Sequence, residues 1–230
     1  MIHIKVPATS ANMGPGFDCA GIALQLYNEL WVEKIEKGFE ILSKNDKQIP
    51  TDDKNLIYST IKSFYEDEEI EMPGIRLIQK DEIPMTRGLG SSAACIVSGL
   101  LAANCLSGKN YSIDTIAQKA ARLEGHPDNS NPALMGNMII SAMYDKGMKC
   151  VKLDVPRNLI FAVMIPDFAL STSESRSVLP DKYTRSQAVF NSSRTGLLVA
   201  SMMTGNLDNL RVAMDDAIHQ PYRKKLIRGY

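Results

Sequence analysis

Residues 84–94 read PMTRGLGSSAA, and what this stretch joins decides how the chain folds. Upstream, Ile75, Leu77 and Gln79 alternate with polar neighbours, the mark of a half-buried strand. Downstream, from Ala93 to Gly108, the chain is rich in Ala, Leu and Val and reads as a helix. Two glycines and two serines, Gly88, Gly90, Ser91 and Ser92, therefore lie between a strand and a helix start. A helix start presents unpaired N–H groups and the positive end of the macrodipole, which suits an anion. Glycine lets backbone approach phosphate oxygens closely. Ser91 and Ser92 can cap the helix or offer a hydroxyl to magnesium, which takes oxygen ligands. No Lys followed by Ser or Thr closes the loop, so it is not the common P-loop. By the loop alone, a tight strand-to-helix turn is an equal alternative.

A second constellation follows. Ile113, Ile116, Ala117, Ala120 and Glu124 share one face at a 3.6-residue period, after Ser112 as the helix cap. A carboxylate on an apolar stripe needs a cation or hydrogen-bond donors, and a magnesium ion bridging ATP phosphates would be such a partner. The next residues, GHPDN, bring His126, Asp128 and Asn129 to the helix exit, where Gly125 and Pro127 stop it. A frayed helix end followed by an Asp-Asn turn is the plainer alternative.

Working outward, Ile2, Ile4 and Val6 alternate as a strand that meets Pro7 and the turn-rich ATSANMGPGFD. An apolar segment, AGIALQLY, follows, then alternation through Leu30, Val32 and Ile35, and Phe39 with Ile41 reads as another strand after Gly38. Asp52 or Asp53 is placed to cap a helix carrying Ile57, Ile61, Phe64 and Tyr65. A hairpin is expected from Met138 to Leu153, turning at Asp145–Gly147. After Pro156 the apolar run Leu159–Ile165 reads as a strand, and helical pattern dominates from Tyr183, broken at Gly205 and near Pro221. Strands in hairpin-like pairs between helices indicate α+β rather than a doubly wound parallel sheet. Pro156 is the expected boundary between domains at 1–155 and 156–230.

The 230 residues, 44% hydrophobic and 23% charged, can bury a proper core. Twenty-six basic residues balance 26 acidic ones, so no bulk field draws the chain to nucleic acid or membrane. Cys19, Cys95, Cys105 and Cys150 lack metal-ligand spacing and read as reduced thiols. The N-terminus MIHIKVPATS has no apolar signal region and no stretch suffices to cross a bilayer, so a soluble cytoplasmic protein is expected.

Three segments, VPATSANMGPGFD, IPMTRGLGSSAA and EGHPDN, in this order and spacing over most of the chain, resemble homoserine kinases of the GHMP kinase superfamily. The resemblance implies an N-terminal domain like ribosomal protein S5 domain 2 followed by an incomplete ferredoxin-like C-terminal domain. It implies phosphorylation of the side-chain hydroxyl of homoserine by Mg-ATP, a step toward threonine. ATP phosphates would lie on Pro84, Met85, Thr86, Arg87, Gly88, Leu89, Gly90, Ser91, Ser92, Ala93 and Ala94. Ser91 or Ser92 and Glu124 resemble the magnesium ligands. Asn12 and Asp18 resemble residues holding the amino acid, with Asp18 on its ammonium group. His126 and Asn129 would line the pocket near the hydroxyl and, with Asp128, form the candidate catalytic set; Thr172, Arg176 and Arg223 resemble further substrate contacts, the two arginines on the carboxylate. Read singly, each arginine is an ordinary solvated one. Phosphoryl transfer depends on positioning and charge neutralisation, so Asp128 need not act as a strong base.

Two departures from the family pattern bear on this. SNPALMGN stands where the family has an apolar Val-Ala pair and a double glycine, which sets Ser130 and Asn137 apart. No third glycine-rich motif follows before Tyr230, which leads to an expectation of weak or absent turnover for residues 1–230. The alternatives are another GHMP kinase acting on a different small alcohol, and an ATP-binding relative without transfer. A homodimer is compatible with either.

Overall fold

The computed structural model describes residues 1–165 and 167–227; Pro166 and residues 228–230, inside the expected second domain, lie outside the described residues. The fold is α+β, built on a six-stranded mixed sheet. Strand β2 (Ala20–Ile35) organises it. β1 (Ile2–Ala11) runs antiparallel along one edge of β2, while β4 (Gly74–Lys80) pairs with residues 29–35 and β5 (Met138–Tyr144) with residues 20–22. β3 (Phe39–Ser43) adds to β4 in parallel, and β6 (Gly147–Leu153) closes a hairpin with β5. The expected hairpin is thus present, turning between Tyr144 and Gly147. β1 does not end at Pro7 but passes through it, with a register shift between Pro7 and Thr9.

One face of the sheet carries α1 (Leu56–Asp67), α2 (Ser91–Ser107), α3 (Ile113–Glu124) and α4 (Pro127–Met135). α2 is apolar nearly all round, as a helix enclosed by its neighbours should be. Its Gly99 lies against α1 so closely that a Cβ there would fall 2.8 Å from Thr60 Cβ. Leu30, Val32, Ile75, Leu77, Phe64, Val97, Leu100 and Ile116 form the core of this layer. α6 (Arg185–Thr204) covers a second cluster, placing Leu198 and Met202 against Ile22, Met138 and Leu153. A Thr184–Gln187 capping box starts α6 and Gly205, at φ 72°, ends it. The short helices α5 (Thr172–Ser177), α7 (Leu210–Ala213) and α8 (Gln220–Arg223) complete the chain.

Several expectations need correction. Asn55, not Asp52 or Asp53, caps α1: its Oδ1 accepts from the N–H groups of Ile57 and Tyr58. Ile113 is 50% exposed, so the buried stripe of α3 begins at Ile116. Residues 127–135, read as a helix exit, form helix α4, with Pro127 at its first position, where no N–H is needed. Leu159–Ile165 is not a strand: no described strand lies beside it, Ile160 and Met164 are more than 89% exposed, and an apolar run without a ladder partner gains nothing from extended pairing. Asn137 sits at φ 60°, a conformation that asparagine tolerates better than most residues.

Candidate active site

The end of β1, the loop before α2, the start of α4 and the segment around α5 enclose a cleft of about 730 Å³. Residues 86–92 form one wall. Gly90, at φ 67° and ψ 29°, is the N-cap of α2 and supplies no side-chain cap, so the helix start keeps its donors for an incoming anion. β1 braces this loop: the Thr9 N–H donates to the Leu89 carbonyl at 3.1 Å. Arg87 reaches toward the Asp167 carbonyl and the Leu170 N–H donates to the Thr86 carbonyl, which brings Phe168 and Leu170 over the loop.

Across the cleft, Glu124 ends α3 with its Oε2 3.5 Å from Ser92 Oγ. Burial raises the pKa of Glu124, partly offset by His126 nearby, so a cation is wanted there. Two hard oxygen donors facing each other at a helix N-terminus fit magnesium. α4 begins directly after. His126 Nδ1 lies 2.5 Å from Asp128 Oδ1, and Asp128 is 2% exposed. That hydrogen bond raises the pKa of His126 against the opposing effect of burial. Asn129, one residue on, lines the cleft and accepts from Thr9 Oγ1 at 2.7 Å. α4 can sit here because Gly21 has no side chain: a Cβ would fall 1.7 Å from the Asp128 carbonyl oxygen.

The third wall is the turn after β1. Asn12, Met13, Gly14 and Asp18 all have positive φ, and Asn12 Oδ1 accepts the Asp18 N–H at 3.1 Å, fixing the turn. Asp18 meets Arg176 Nη2 at 2.5 Å. Ligand atoms of Asp18, His126 and Asp128 lie within 4.8 Å of one another, an acidic corner suited to a cation. Arg176 and Arg223 stand over the Phe17 ring at 5.4 and 5.1 Å from its centroid. Burial, and then the neighbouring Arg176, lower the pKa of Arg223. Two cations kept this near each other favour an anion between them.

Of the residues singled out from sequence, Asn12, Asp18, Thr86–Ser92, Glu124, His126, Asp128, Asn129, Thr172, Arg176 and Arg223 line this one cleft. Pro84, Met85, Ala93 and Ala94 do not: Met85 is 64% exposed, and Ala93 and Ala94 are buried in the body of α2. Sequence reading missed Thr9, Phe17, Phe168 and Leu170. Thr9 and Phe17 lay inside a quoted segment, but only tertiary contact shows what they touch.

Residues 55–137 match the family described as GHMP kinases N terminal domain. The chain is 48% identical over its full length to the homoserine kinase of Caldicellulosiruptor bescii, covering 75% of that protein. It is equally identical to the homoserine kinase of Clostridium novyi, covering 77%. The crystal structure of homoserine kinase from Cytophaga hutchinsonii superimposes with a TM-score of 0.82 at 32% identity, over 99% of this chain and 76% of that one. With that identity along the whole chain, and the glycine-serine loop and the EGHPDN residues meeting in one cleft, the chain belongs to the homoserine kinase family of GHMP kinases.

Proposed function

We propose that the chain transfers the γ-phosphoryl group of ATP to the side-chain hydroxyl of L-homoserine, giving O-phospho-L-homoserine and ADP. The observation that carries this reading is the convergence, in one cleft, of an uncapped helix N-terminus with groups of both signs for a zwitterion, Asp18 paired with Arg176 and beside them Arg223. The main-chain N–H groups at Gly88–Ser92 hold the phosphates, and Ser91 or Ser92 with Glu124 would hold magnesium. A magnesium ion held there would neutralise negative charge developing on the transferring phosphoryl group. Asp18 takes the substrate ammonium group, with Asn12 keeping its turn in place, and the arginines take the carboxylate. His126, Asn129 and Thr172 then orient the hydroxyl. Its oxygen bonds to γ-phosphorus as the bond to the ADP oxygen breaks, and its proton leaves into the cleft. Asp128 is already engaged by His126, so its part is to hold the imidazole.

This reading also divides the chain at Pro156, with an S5 domain 2-like unit before it and a ferredoxin-like segment after it. No described helix is long and apolar enough to cross a membrane, which is compatible with a cytoplasmic setting. A coupled ADP-release assay over homoserine, serine, threonine, mevalonate and galactose tests the substrate. Homoserine should give kcat/KM at least about a hundredfold above every alcohol that lacks the amino acid group, since unpaired buried polar groups discriminate strongly. Turnover confined to the others would remove homoserine as the acceptor.

A further inference from the structure

We propose that Thr9 is a positioning residue for phosphoryl transfer, locking the Asn129 carboxamide with its NH2 group toward the cleft and tying it to the phosphate loop. This rests on the reading of the cleft as a homoserine kinase site. Thr9 is fully buried in β1 at the place where the ladder with β2 changes register. Such irregularities re-aim a residue away from regular pairing. Its two polar groups go to two different parts of the site: the N–H to the Leu89 carbonyl of the loop at 3.1 Å, the hydroxyl to Asn129 Oδ1 at 2.7 Å. The loop closes on it from the other side, for a Cβ on Gly90 would fall 1.9 Å from Thr9 Oγ1 and 3.1 Å from Asn129 Oδ1. Thr9 therefore joins the phosphate loop, through its main-chain N–H, to α4, through its hydroxyl.

The consequence is chemical. An amide side chain offers one acceptor oxygen and two donors. With Oδ1 engaged by Thr9, Asn129 faces the cleft as a donor, able to hydrogen-bond an oxygen that gains negative charge but not to receive a proton. Without the hydroxyl, the carboxamide is free to rotate by a half-turn and present its oxygen to the phosphates instead. A buried threonine that merely fills space would show no such dependence.

Thr9→Val keeps the shape and the N–H bond to Leu89 but removes the hydroxyl; Thr9→Ser keeps the hydroxyl. Thr9→Val should lower kcat about tenfold to a hundredfold with the KM values for ATP and homoserine within about twofold, the signature of an interaction realised in the transition state. Thr9→Ser should restore kcat to within about threefold of the parent. The Asn129 side-chain NH2 signal in a 15N-correlation spectrum, identified by its loss in Asn129→Asp, supplies a readout independent of turnover. It should shift in Thr9→Val and keep its place in Thr9→Ser, while melting curves show all variants folded. An unmoved amide signal in Thr9→Val overturns the proposal whatever the rates do, as does an equal loss of kcat in both variants. If the parent fails to phosphorylate homoserine but the amide contrast holds, it is the substrate reading that falls and the positioning role that stands.

Discussion

Glu124 sits where its own charge is disfavoured. Burial raises its pKa, so the folded chain holds a proton there more tightly than the unfolded one. The stabilisation that this gives exists at low pH and is lost as pH rises through the folded value. At neutral pH the ionised carboxylate is thus a liability to the apo protein, tolerable if a cation uses it. Glu124→Gln, of the same shape, should leave the melting temperature at pH 7.5 equal or higher without ligands. It should lower magnesium-dependent transfer by about a hundredfold to a thousandfold, as removal of one electrostatic stabiliser does elsewhere. Calorimetric melting beside the ADP assay checks both halves. Full activity in the variant would mean that the metal is held by other groups.

At the scale of elements, the C-terminal end of α1 is tied to α3 through one carboxylate. Glu68 accepts from Lys119 at 2.8 Å, pairs with Lys109 at 3.1 Å and takes the Tyr111 hydroxyl. The Lys119 hydrogen bond, followed by that of Tyr111, pulls its pKa from 4.5 to about 2. A depressed folded value means stability that is complete above the unfolded pKa and is lost as pH falls through the folded one. The melting temperature of Glu68→Gln should therefore lie below the parent's at pH 7, with the gap closing between about pH 5 and 2 as the parent's carboxylate protonates. A gap constant across that range would show that Glu68 matters by packing instead. This tie was invisible in the sequence, where Glu68 belongs to an undistinguished acidic run. What was legible there had a period or a chemistry: alternation gave β1, β2 and β4, and the glycine-serine loop gave the start of α2. α4 was missed because Pro127, Asn129, Ser130, Asn131 and Pro132 are poor helix formers. Its stability comes from packing on Gly21 and on β5, which no local propensity records. The run 159–165 failed in the opposite way: it has a strand's composition, but a strand also needs an edge to pair with.

At the scale of the molecule, the groups assigned to the two ends of a zwitterion come from distant parts of the chain, and one asparagine draws two of those parts together. Asn191 of α6, 3% exposed, donates through Nδ2 to the Pro15 carbonyl at 3.0 Å and to Asp216 Oδ1 at 2.8 Å, while its Oδ1 accepts the Ala217 N–H at 2.8 Å. Asp216 in turn accepts the N–H groups of Ile218, His219 and Gln220, shaping the turn into α8. His219 Nε2 reaches the Gly14 carbonyl at 2.7 Å, and burial lowers its pKa. The neutral ring therefore donates there, and stacks on Phe17 with 5.3 Å between ring centroids. The turn bearing Asp18 and the helix bearing Arg223 are thereby tied together, with the Phe17 ring against His219 and both arginines. Asn191→Leu keeps the branching of the side chain and removes three hydrogen bonds, leaving the Ala217 N–H without its Asn191 partner while the Pro15 carbonyl keeps Thr195 and Asp216 keeps its main-chain donors, so it should cost about 1–3 kcal/mol of stability. Its more specific effect should fall on substrate: the KM for homoserine should rise about tenfold or more while that for ATP holds, because the described hydrogen bonds of this cluster run to the turn after β1 and to α8 rather than to the phosphate loop, and a loosened arginine loses its aligned carboxylate bond. Denaturant titration gives the first quantity and initial rates at saturating co-substrate give the second. Loss of stability with both KM values unchanged would show that Asn191 holds the fold together without setting the spacing of the substrate's anchors.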